Sequence, residues 1–217
     1  MTAAEAHFID SDPLAEAAAR LWLDLRRAEP DLRSLVVTGC RGSEGATALS
    51  NALAHAVIKL EGSRVLLIDA DPATAGLTRA LGVGDVVGLQ QLRDANDDFA
   101  PLLVPLGQGL DLLPAGQGAG GAGASLPPDR ILQDLQKRAS LSHDLLIWDS
   151  RAITASVETK RLVGMVGRAI LVVESDVTRI DHLTASLNEI TALKATTLAV
   201  LRNRAGRRVL SIGAGRE

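Results

Sequence analysis

The stretch that decides the fold is 34-SLVVTGCRGSEGATALSNALA-54. It opens on a short β-branched run ending in Gly39, which reads as a buried strand. From Glu44 onward Leu49, Ala52, Leu53, Ala56, Val57 and Leu60 recur at threes and fours, the face of an amphipathic helix closed by Gly62. Between them lies a glycine-rich turn. Glycines there let backbone N–H groups point inward, and a helix start adds partial positive charge, so the turn suits an anion. Thr47 stands where a phosphate-cradling loop places the hydroxyl that meets Mg²⁺, but Ala46 stands where such a loop carries lysine. Arg41, Gly42, Ser43, Glu44, Gly45, Ala46 and Thr47 are therefore the candidate phosphate-binding residues. The plain alternative is a tight turn.

Working outward, 13–28 reads as a helix, with Asp12 as cap, Pro13 at the first turn and Leu14, Ala18, Leu21 and Leu25 on one face. Continuous apolar runs at "RVLLIDAD", "LDLLPAG", "DLLIWDS", "AILVVESD" and "TTLAVLRN" read as five further strands, with helices at "DRILQDLQKR" and around Ile180 to Ile190. Such alternation predicts an α/β fold, a mainly parallel central sheet with helices on both faces, and the phosphate-type loop at 39–47 makes it P-loop NTPase-like. A single domain is expected across 1–217. It carries a flexible glycine-rich loop at 115–124 and an arginine-rich tail at 205–217.

Composition narrows the function classes. The chain has 217 residues, a net charge of −3 and 2% aromatics, which argues against a dedicated nucleic-acid surface. One cysteine excludes an internal disulfide and fits a reducing cytoplasm. No apolar run approaches the ~20 residues of a membrane span. The four histidines have no metal-ligand spacing. Cys40 reads as a small buried filler or a helix-start thiol of lowered pKa, Trp148 as core, and Trp22 as core or an exposed contact.

In a parallel sheet ligands bind beyond the carboxyl ends of the strands. Three acids fall there: Asp69 and Asp71, closing "VLLIDAD", and Asp149, closing "LLIWD". Thr47, Asp71 and Asp149 are candidate Mg²⁺ ligands, and Asp69 and Asp149 the candidate catalytic acids. Each has an ordinary reading beside it. Asp71 precedes Pro72 and suits a helix cap, and an aspartate ending a strand is often a turn residue.

From about Leu14 to Val209 the chain resembles the cytoplasmic P-loop domain of bacterial tyrosine kinases, the BY-kinases of capsule and exopolysaccharide systems, relatives of the MinD/ParA ATPases. Residues 34–54 resemble the family's Walker A strand, loop and helix. "RVLLIDADPATAGLTRALGV" resembles Walker A′, and "HDLLIWDS" Walker B. The resemblance implies a place near a nucleotide base for Asn203. Departures sit where the chemistry happens. The loop lysine is Ala46, a middle glycine is Ser43, and the arginine of D-x-D-x-R is Ala73. The E-x-x-R-x-x-R oligomerisation motif keeps Glu16 but has Ala19 and Trp22, and the T-P-P after Walker B is Ser150, Arg151 and Ala152. The family's tyrosine tail is not expected in a chain without tyrosine. Arg41, at the place of a MinD/ParA signature lysine, is either a substitute cation or a solvated loop residue.

The resemblance implies a catalytically degenerate protein that regulates or scaffolds exopolysaccharide synthesis by binding the cytoplasmic part of a membrane polysaccharide co-polymerase. It would sit in the cytoplasm, peripheral to the inner membrane through that partner, with a homodimer left open and no nucleic acid bound. Mg·ATP or Mg·ADP would be held weakly or not at all. The alternative is a divergent ATPase or switch working through the same loop.

Overall fold

The computed structural model describes residues 13–203, apart from 43 and 122. Ser43 and the arginine-rich tail therefore lie outside the described residues. Chain order runs α1 (Pro13–Ala28), β1 (Ser34–Gly39), α2 (Ala46–Glu61), β2 (Val65–Asp69), α3 (Gly76–Ala80), β3 (Val104–Gly107) and β4 (Leu110–Leu113). It continues with α4 (Asp129–Ala139), β5 (Leu145–Asp149), α5 (Val157–Val166), β6 (Arg168–Glu174), α6 (Ile180–Ala192) and β7 (Thr196–Asn203). The strands form one sheet in the order β3-β4-β2-β5-β1-β6-β7. Every pairing is parallel except the edge hairpin β3–β4. The expected α/β architecture is thus present, with a seventh strand the sequence did not announce. That strand is short and half-exposed, with alternating burial.

Continuous apolar runs are needed because β1, β2 and β5 are buried throughout. Successive side chains leave on opposite faces, so each run feeds two cores. Leu35, Val37, Val65, Leu67, Leu145 and Ile147 pack on the side of α1 and α2. Val36, Leu66, Ile68, Leu146 and Trp148 pack on the other side, with residues of α4, α5 and α6.

Both tryptophans are core. Trp22 is 1% exposed. Its Nε1–H donates to Glu61 Oε1 at 2.9 Å, and the Arg26 guanidinium lies 5.1 Å from its ring centre while pairing with Glu61. The tryptophan at the third motif position thus fastens α1 onto α2, which resolves its two sequence readings in favour of the core. Trp148 Nε1–H donates to Ser34 Oγ at 3.0 Å, both residues being buried. Removing that acceptor leaves a buried donor unpaired, at a cost of about 1–3 kcal/mol. Ser34→Ala is expected to lower the urea midpoint accordingly, and an unchanged midpoint would show that the indole finds another acceptor.

Candidate functional site: the loop between β1 and α2

The loop leaves the carboxyl end of β1 between β5 and β6, a switch point of the sheet and the predicted place for a ligand. Gly45 enters α2 with φ +97°, and a Cβ there would come within 2.2 Å of Asn203 Nδ2. Only glycine meets both conditions. Asn203 donates to the Glu44 carbonyl at 2.8 Å, so the structure gives it the job of tying β7 to the loop.

The centre of the loop holds a side chain of the loop itself. Glu44 is 3% exposed. Its carboxylate accepts from the Arg41 N–H at 3.0 and 2.9 Å, from the Gly42 N–H at 3.0 Å and from Thr178 Oγ1 at 3.2 Å. Gly39 makes room for it, since a Cβ there would lie 2.2 Å from Glu44 Oε2. Arg41 is exposed beside a cavity of about 300 Å³ that Gly42, Glu44, Glu174 and Val177 also line. Ala46 is partly buried against the core on the α1–α2 side.

The rim acids come together as expected, and each is already bonded to the protein. Asp149 is 1% exposed and stands in register with Asp69 on the neighbouring strand. Thr47 Oγ1 donates to its Oδ2 at 2.8 Å and Ser50 Oγ to its Oδ1 at 2.9 Å. Burial drives this carboxyl up to about 7, with help from the Asp69 and Asp71 charges and against the two hydroxyl donors. Asp69 accepts from Thr78 N–H and Oγ1, both at 2.7 Å, and from the Asp71 N–H at 3.1 Å. Burial outweighs those donors and raises its pKa as well. Asp71 caps the following turn, accepting from the Ala73 and Thr74 N–H groups and from Thr74 Oγ1. Asp71, read in the sequence as a helix cap, thus caps the turn at 72–74, and α3 starts later, with Ala75 at its N-cap.

Arg151, noted in the sequence only as a departure after Walker B, reaches this group. Its Nε lies 3.8 Å from Asp71 Oδ1. The segment carrying it is stitched to β1, because the Arg151 carbonyl accepts from Thr38 Oγ1 at 2.6 Å and Ile153 N–H donates to the Gly39 carbonyl at 3.1 Å. A cation two residues past the Walker B acid was the available signal. Cys40 is fully buried, and burial pushes its thiol up, so it is the filler and not an activated thiol. The glycine-rich segment, expected as a free surface loop, is tied to the same rim: Gly120 N–H donates to the Pro72 carbonyl at 2.9 Å. His143 sits apart, at the amino end of β5, 3.1 Å from Asp111.

Among the described residues, no three His, Cys, Asp or Glu side chains are arranged to hold a metal. The Thr47–Asp149 pair has the hydroxyl and carboxylate that a magnesium ion takes beside a phosphate. The loop fits a triphosphate poorly as it stands, because a carboxylate already takes the Arg41 and Gly42 amides and position 46 offers no ammonium. Among the described residues, no helix is long and apolar enough to cross a membrane.

A mainly parallel sheet with a phosphate-type loop after β1, and aspartates closing the next two strands on one side of it, β5 and β2, fits a P-loop domain of the MinD/ParA superfamily. The chain belongs to the family of the cellulose biosynthesis protein BcsQ, whose model matches residues 32–204. Solved structures share the fold. The kinase domain of Escherichia coli tyrosine kinase ETK is 22% identical, with a TM-score of 0.76 over 99% of this chain and 89% of that one. The chimerical protein CapA2B2 is 19% identical, with a TM-score of 0.76 over 89% and 86%. Cobyrinic acid a,c-diamide synthase from Mycobacterium smegmatis, solved with ADP and magnesium, is 22% identical, with a TM-score of 0.63 over 79% and 74%. No curated protein sequence matches the chain.

Proposed function

We propose that this protein is a catalytically degenerate P-loop module that regulates or scaffolds cellulose or related exopolysaccharide synthesis by binding, not by phosphoryl transfer. The observation that carries the reading is position 46. A methyl group packed against the core replaces the ammonium that would meet the β- and γ-phosphates. A cation acting on the transferring phosphoryl group is worth about 10³–10⁵ in rate. The family supplies the setting, and the BY-kinase resemblance supplies the partner class, the cytoplasmic part of a membrane polysaccharide co-polymerase. Localisation at the inner membrane follows from that partner. The chain contains no tyrosine, so it cannot phosphorylate a tyrosine of its own.

A second reading, a nucleotide-binding switch, is favoured by the Thr47–Asp149 pair and by Arg151, a cation brought to the rim from another strand. Turnover separates the two. Purified wild-type chain is expected to release phosphate from Mg·ATP no faster than Thr47→Ala, and turnover that Thr47→Ala abolishes overturns the first reading.

A further inference from the structure

We propose that Glu44 is a built-in anion that closes the phosphate loop on itself and couples it to the β6–α6 connection. This rests on reading 39–47 as a phosphate loop but not on the absence of turnover.

Two of the loop's inward amides, of Arg41 and Gly42, are spent on the Glu44 carboxylate. An incoming phosphate needs such donors. It must therefore displace a carboxylate held at no entropic cost of association, since Glu44 is tethered beside its own site. The same carboxylate accepts from Thr178 Oγ1, and Thr178 Oγ1 in turn accepts from the Glu174 N–H at 2.9 Å. Residues 175–179 are thus joined to the loop by one hydroxyl, beside the backbone bonds that Ser175 N–H gives the Asn203 carbonyl at 3.0 Å and Thr178 N–H gives the Glu174 carbonyl at 2.9 Å. That connection presents Val177, 52% exposed, and leads into Ile180, 77% exposed. On the other side of the loop the Glu44 carbonyl holds Asn203 at the end of β7. One residue therefore joins the loop, the β6–α6 connection and β7. Phosphate entry that swings Glu44 out unties Thr178 from the loop, leaves it on Glu174 alone, and changes how Val177 and Ile180 are presented. Loop occupancy is read out at a neighbouring apolar surface without any bond being made or broken.

Inorganic pyrophosphate with Mg²⁺ and Mg·ADP are the probes, titrated calorimetrically into the full chain. Glu44→Ala is expected to bind pyrophosphate about tenfold or more tighter than wild type, the value of one charge-assisted contact no longer contested. Hydrogen exchange of amides 175–181 is expected to quicken in Glu44→Ala, in Thr178→Val, and in wild type saturated with pyrophosphate. Thr178→Val leaves the loop residues intact but also removes the acceptor of the Glu174 N–H. If Glu44→Ala fails to fold, the deciding readout is therefore the further change in exchange at 175–181 when Thr178→Val is saturated with pyrophosphate. That change is expected to be lost, and it overturns the proposal if it equals the wild-type change. Equal pyrophosphate affinity in wild type and Glu44→Ala, including no binding to either, overturns the proposal. So does exchange at 175–181 that ignores both substitutions. ATP turnover by wild type would end the preceding reading and leave this one standing.

Discussion

Asp149→Asn should flatten the pH dependence of stability and make the protein more stable than wild type at pH 8. In the folded chain burial holds the Asp149 carboxyl up to about 7, against an ordinary value of 3.8. Between those values the folded state binds more protons than the unfolded chain, so stability falls as pH rises. The contribution is fully present below about pH 4 and lost as pH passes through about 7. A displacement of roughly three pH units corresponds to about 4 kcal/mol, an upper figure for one group. Asp69 is displaced in the same direction by the same cause and adds to the slope. The exposed Asp97 and Asp181 carboxyls are lowered and act with the opposite sign, below the range in question. Asparagine keeps the shape, accepts from Thr47 and donates to Ser50, whose hydroxyl can accept. Urea titrations at pH 5 and pH 8 check this. Wild type should lose stability between the two and Asp149→Asn should lose far less. Parallel profiles would show that Asp149 is ionised and solvated in the folded chain.

Ala46→Lys should strengthen Mg·ATP binding by about 10- to 100-fold, the worth of one hydrogen bond to a charged group. The new ammonium would stand at the start of α2, next to the loop whose Glu44 carboxylate now takes the Arg41 and Gly42 amides, and supply the cation that the phosphates lack there. Calorimetric titration of variant and wild type measures it. No gain would mean that the loop is closed for a reason other than charge, with the rim acids serving only the fold.

Much of the frame was readable in advance because it rests on local patterning. α1 falls on the expected 13–28, and the buried runs at 34–39, 65–69 and 145–149 are strands because both faces of the sheet are covered. β3 was not read, since four residues with two exposed carry no hydrophobic signal. Nor was α5, whose "VETKRLVGMV" has buried positions at Thr159, Leu162, Val163 and Val166 and a polar start. In the site, Thr47 at the start of α2 and Asp149 at the end of β5 were each legible as candidate Mg²⁺ ligands from their places on the rim. Their hydrogen bond joins residues 102 positions apart, and only the shared rim predicts it. Glu44 was read as one more loop position. Its rotation into the amides depends on a side-chain torsion and on Thr178, 134 residues away, and neither leaves a trace in spacing. A buried acid flanked by glycines within an anion-binding turn is the signal to look for elsewhere. Arg151 was passed over because its partner, Asp71, lies on another strand's loop.

Everything turns on whether a loop without its ammonium, and filled by its own carboxylate, still holds a nucleotide. Calorimetric titration of Mg·ATP into the wild-type chain asks this directly. The account predicts no saturable binding in the micromolar range, and the same trace from Thr47→Ala. A micromolar Kd, abolished by Thr47→Ala or Asp71→Ala, would contradict it.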